Sequence, residues 1–119
     1  MPALNGDADM ISFKSAVSDK WLVVDTANSY SDAPAGGFDS NNRTYVLILT
    51  NKPSDADGNN NGSFKPVDPA NGTDGFVSLT LNGNTSRYFR EWWAITQCGA
   101  KQTGNDAPYS SMKIIDVTE

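Results

Sequence analysis

Apolar residues in this chain come in short runs, each cut off by Gly, Pro, Asn, Asp or Ser, and that punctuation narrows the fold more than any other feature. Runs of four to eight residues bounded by turn formers read as β-strands. MISFKSAV (10–17) alternates Ile11 and Phe13 with Ser12 and Lys14, and KWLVVDT (20–26) follows a Ser18-Asp19 break. RTYVLILT (43–50) is β-branched and aromatic throughout, the pattern of a central strand buried on both faces. FVSLTL (76–81) runs into Asn82-Gly83, a pair suited to the left-handed geometry of a type I′ turn, and so predicts a hairpin into residue 84 onward. MKIIDV (112–117) supplies a last strand.

The expected fold is therefore mainly β, a small β-sandwich or barrel-like domain of five to six strands with long polar loops. At 119 residues the chain reads as a single domain, 1–119, able to bury upwards of ~60% of its unfolded surface. Two polar stretches separate the strands: SYSDAPAGGFDSNN (29–42) and the loop 51–75, which is too long to be a mere connection.

One segment fits two templates. YFREWWAITQCG (88–99) places Trp92 beside Trp93. On a strand, successive side chains point to opposite faces, so the two indoles cannot enter the same core. On a helix over about 86–98, Tyr88, Phe89, Trp92, Trp93 and Ile95 share one arc and Arg87, Arg90, Glu91, Gln97 and Cys98 the other, with Ser86 as N-cap and Gly99 as C-terminal stop. In the strand reading one indole faces solvent, and Trp92, Trp93, Tyr88 and Arg90 become the candidate ligand or interface residues. In the helical reading both rings fill the core.

The chain has no histidine, which removes Ser-His-Asp and Cys-His nucleophile activation and imidazole metal ligands. The one cysteine, Cys98, excludes an internal disulfide and has no histidine to activate it. A net charge of −5, with nine Lys and Arg and no basic run, argues against nucleic acid as a partner. No apolar stretch approaches the roughly 18 residues of a membrane span, and the first ten residues lack the basic flank and apolar run of a leader, so the expectation is a soluble chain without a membrane partner, or one delivered by a route the sequence does not show.

Acidic residues are twelve Asp and two Glu, and Asp caps, turns and coordinates. DGNNNGSFKPVD (57–68) matches the calcium-loop pattern, with oxygen donors Asp57, Asn59, Asn61, Ser63 through its carbonyl, and Asp68, the sharp turn at Gly62 and an apolar anchor at Phe64; Asp55 is an extra donor. Only two of its side-chain donors are charged, and Pro66 and Pro69 deny it the exit helix of an EF-hand. No cofactor is otherwise expected, and calcium is the one metal the spacing suggests.

These readings favour a non-enzymatic structural or assembly protein that works through protein–protein contacts as a homo-oligomer. The alternatives are a carbohydrate-binding module that stacks a glycan on an exposed Trp, and a calcium-stabilised adhesion module. In general composition the chain resembles small accessory proteins of phage virions, β domains without disulfides that hold shells or tails together. That resemblance implies a capsid or tail accessory role and a place in the virion, and it assigns no residue.

Overall fold

A computed structural model describes residues 3–30, 44–92, 95–99, 101 and 104–114; within its strands the side chains of 26–30, 44, 86, 92, 95 and 97 lie outside the description. Six strands, β1 (Trp21–Tyr30), β2 (Thr44–Thr50), β3 (Phe64–Val67), β4 (Ser78–Leu81), β5 (Asn84–Trp92) and β6 (Ile95–Gly99), form one antiparallel sheet in the order β1-β2-β6-β5-β4-β3. A short helix, α1 (Ala56–Asn60), and a 3₁₀ helix (Gly104–Ser110) complete it. Among the described residues no helix is long and apolar enough to cross a membrane.

The Asn82-Gly83 turn forms as its sequence predicts, with φ of 50° and 78°, and joins β4 to β5. The pairing then slips from Leu81↔Asn84 to Thr80↔Tyr88, and β1 slips likewise between Val24 and Ser29. Extra residues on one strand of a pair bend it and increase its twist, so both slips curl the sheet. Curling brings its edges, β3 and β1, towards one another, and the N-terminal segment joins them. Ile11 exchanges two 2.8 Å backbone hydrogen bonds with Phe64 of β3, and the Phe13 carbonyl accepts from Leu22 N of β1 at 2.9 Å. Lys14 is bridged to Trp21, and Val24 N donates to Asn61 O at 2.9 Å. Both edges are thereby engaged in part, β1 over Trp21–Val24 and β3 at Phe64.

The interior of this curled sheet holds Val24, Leu47, Phe64, Leu79, Leu81 and Cys98, flanked by Ile11, Phe13, Leu22, Tyr45, Val77, Phe89 and Met112. Phe13, Phe64 and Phe89 pack as a tilted and edge-on triad with ring centroids 5.7–6.1 Å apart. One end is closed by polar loops: Asn5 Nδ2 donates to Asn60 Oδ1 at 3.2 Å and Asn82 Oδ1 at 3.1 Å, and Ser12 Oγ donates to Gly62 O. Gly62 sits where backbone and core meet, and an added Cβ would lie 2.7 Å from Leu4 Cδ1 and 3.1 Å from Val23 Cγ2. Gly62→Ala is expected to cost about 1–3 kcal/mol through this overpacking, read as a lowered urea midpoint at unchanged m-value.

Several expectations are corrected. The helix near 86–98 does not form: β5 and β6 occupy that segment, Gly99 ends a strand, and Ser86 lies inside one. The reason is pairing, because β5 pairs with β4 at Asn84 and Tyr88 on one side and with β6 over Tyr88–Trp92 on the other. The loop 51–75 contains α1 and β3; Asp55 caps α1 by accepting from Gly58 N at 2.6 Å, and Pro66 is tolerated because β3 ends the sheet. β2 lies between β1 and β6, but it is not buried on both faces: Ile48 and Leu49 are 39% and 50% exposed. The 10–17 segment is reduced to bridges at Ile11 and Lys14, and of the described residues 112–114 Met112 alone is paired, with Val77. Residues 31–43 and 115–119, which hold most of the first polar stretch and the rest of the last expected strand, lie outside the described residues.

Candidate functional site

Along β5, Phe89 points into the interior, where it opposes Cys98. Two residues on, Glu91 lies on the same side by strand alternation but beyond the core, and it is exposed. The 3₁₀ helix packs against this end of β5. Its three-residue repeat stacks Ala107 and Ser110 on one buried side, leaving Pro108 and Tyr109 outward. The position of that helix is held from several directions. Ser111 Oγ donates to Ala107 O at 2.9 Å and accepts from Asn71 N at 3.0 Å; Ser78 Oγ donates to Ser110 O; Met112 exchanges two 2.8 Å backbone bonds with Val77.

Between β5 and this wall lies a cleft of about 170 Å³, lined by Phe89, Glu91, Pro108, Tyr109, Ser111 and Met112. Its chemistry is apolar and aromatic with one carboxylate. The Ser111 hydroxyl is committed as a donor to the Ala107 carbonyl. Among the described residues no cation pairs with Glu91; the ion pair found there, Lys14–Asp19, belongs to the turn before β1. Tyr109 is 50% exposed at the cleft, and Ile114, two residues beyond Met112, is exposed to a similar degree.

The residues expected from sequence fall elsewhere. Tyr88 and Arg90 are brought together on the outer face of β5, but both are buried, Arg90 to 4% exposure. The Lys101 Nζ stands 6.0 Å from the Tyr88 ring centroid. Burial lowers the Arg90 pKa to about 10, with the nearby Cys98 acting in the opposite direction, so its guanidinium stays charged at neutral pH. Trp92 ends β5 opposite Ile95. Its side chain and all of Trp93 lie outside the described residues.

The five calcium-loop donors lie on and around α1 and β3. Asp57 and Asn59 are in α1 and Asn61 is its C-cap, so side chains two apart diverge by about 200° instead of converging. The Ser63 carbonyl accepts from Asn82 N at 2.8 Å and its hydroxyl donates to Asn59 O at 2.8 Å. Phe64 goes to the core, and the extended β3 carries Asp68 away from Asp57. The Asn59 Oδ1 atom is buried without a hydrogen-bond partner. Among the described residues no three His, Cys, Asp or Glu side chains gather as a metal site.

Sequence reasoning passed over Pro108 and Tyr109. Their signal was weak but present: a proline followed by a large aromatic in an otherwise small and polar stretch, GNDAPYSS (104–111). Their meeting with Glu91 depends on the Val77–Met112 pairing, which no local pattern announces. Compared with known proteins, this chain matches no family model and no curated protein.

Proposed function

We propose that this protein is a non-enzymatic assembly module that contacts other proteins, further copies of itself among them, through the surface around the Glu91–Tyr109 cleft. The observation that carries the reading is a half-exposed tyrosine on a fixed wall beside an open, largely apolar cleft. Tyrosines in such settings anchor interfaces because they bury a large area at little entropic cost. Size supports the same reading, since about 170 Å³ falls well below the roughly 300–1,000 Å³ of pockets that enclose a cofactor or drug-sized ligand. A repeating shell such as a virus particle is the setting we propose for it, a refinement that rests on general composition alone.

Light scattering over a range of concentrations tests the reading. The expected result is a mass that grows from 12.8 kDa towards a defined oligomer, with Tyr109→Ala shifting the midpoint to at least about tenfold higher concentration. A monomer at all concentrations, or growth that Tyr109→Ala leaves unchanged, argues against this surface.

A further inference from the structure

We propose that the cleft receives a lysine side chain of the partner protein, its methylene stem lying against Phe89, Pro108 and Met112 and its ammonium meeting the Glu91 carboxylate beside the Tyr109 ring. This rests on the reading of the cleft as a protein-contact site. Four observations carry it. The volume, about 170 Å³, is that of a recess for one long side chain. Its lining is apolar apart from Ser111, whose hydroxyl is already bonded, and Glu91. Among the described residues no cation pairs with Glu91, and none that lines the cleft is basic. The chain carries a net charge of −5, so a basic partner segment is drawn towards it.

Other occupants fare worse by the same physics. An anionic group would meet the Glu91 carboxylate directly. A purely apolar side chain would fill the floor but strip water from that carboxylate without replacing it, a desolvation cost with no return. A lysine satisfies both parts, because its apolar stem packs while its compact ammonium stays at the rim. Arginine is less suited: its planar fork is best used by several coplanar acceptors, and the lining offers one carboxylate. Tyr109 adds cation–π attraction at the mouth.

The test titrates isotope-labelled protein, at a concentration where it is monomeric, with capped pentapeptides that place one variable residue among glycines. The expected result is that the lysine peptide shifts the amide resonances of Phe89, Glu91, Tyr109 and Met112 and binds about fivefold or more tighter than the norleucine peptide. That preference should vanish in Glu91→Gln and shrink as salt is raised. Because Glu91 is exposed, Glu91→Gln should retain the native spectrum, which makes lost preference separable from lost fold.

Equal binding of norleucine and lysine overturns the proposal, as does an arginine peptide that binds as tightly as lysine. A methyl glucoside that shifts these resonances where the lysine peptide does not would also overturn it and make the cleft a sugar site. Lysine selectivity in a protein that never assembles upholds the cleft chemistry and removes the self-assembly reading. Assembly without lysine selectivity does the reverse.

Discussion

Phe64→Ala is expected to lower stability by about 3–5 kcal/mol, a large share of the roughly 5–15 kcal/mol that holds a domain folded. Phe64 is fully buried and touches both other rings of the aromatic triad, at 5.8 Å from Phe13 and 5.7 Å from Phe89. It also occupies the β3 position whose backbone pairs with Ile11, so its side chain and main chain act at the same junction. Loss of the ring leaves a cavity among Leu79, Leu81 and Phe89 at the place where the N-terminal segment closes the sheet. Urea unfolding followed by tryptophan fluorescence measures the effect. A loss below about 1 kcal/mol would mean that this junction is not central to the fold.

Stability should also fall as pH rises above about 9, through Cys98. The thiol is fully buried on β6 between Tyr45 and Phe89, and burial pushes its pKa up to about 12 against the opposing pull of Arg87 and Arg90. Below the unfolded value, 9.0, folded and unfolded chains both keep the proton and this group makes no demand. Above it the unfolded chain releases a proton that the folded chain retains, so unfolding becomes easier by up to about 1.4 kcal/mol per pH unit. Across the whole window up to about 12 the loss would approach roughly 4 kcal/mol.

Arg90 acts in the opposite sense. Its folded pKa is lowered from 12.5 to about 10, so above about 10 the folded chain sheds a proton that the unfolded chain keeps, and this offsets part of the Cys98 loss. The clearest window for Cys98 is therefore between about pH 9 and 10. Wild type is expected to lose roughly 1 kcal/mol more than Cys98→Ala between pH 8 and pH 10 in urea melts. The variant's own packing cost cancels in that difference. Parallel losses in the two proteins would show that the buried thiol does not titrate as its surroundings imply.

How much of this was written locally can be judged element by element. The Asn82-Gly83 turn, the β4–β5 hairpin and the strands expected at 20–26 and 43–50 follow from residues adjacent in sequence, and they form there, with β1 running on to Tyr30. Segment 84–99 was ambiguous because its apolar residues satisfy both a helical arc and a strand alternation. Two neighbouring strands decide it, since β5 pairs with β4 on one side and β6 on the other. The same ambiguity misplaced Arg90, which a helical wheel puts on the polar side and the sheet buries. Phe64, expected only as the apolar anchor of a polar loop, carries its ring into the centre of the core.

The candidate site was less legible than the fold. Glu91 and Tyr109 are 18 positions apart, and neither carries a motif. They meet because the 3₁₀ helix packs on β5 and Met112 pairs with Val77.

By itself the sequence determined the β class, the hairpin turn, the lack of imidazole chemistry and the acidic surface, because each depends on residue type or on the conformational preferences of near neighbours. Only the tertiary structure decided that residues 11–14 join the two edges of the sheet, that Arg90 and Cys98 are enclosed, and that Glu91 faces Tyr109 across a cleft. Those outcomes depend on which distant backbone groups find one another, and pairing across tens of residues leaves no periodic trace in the chain.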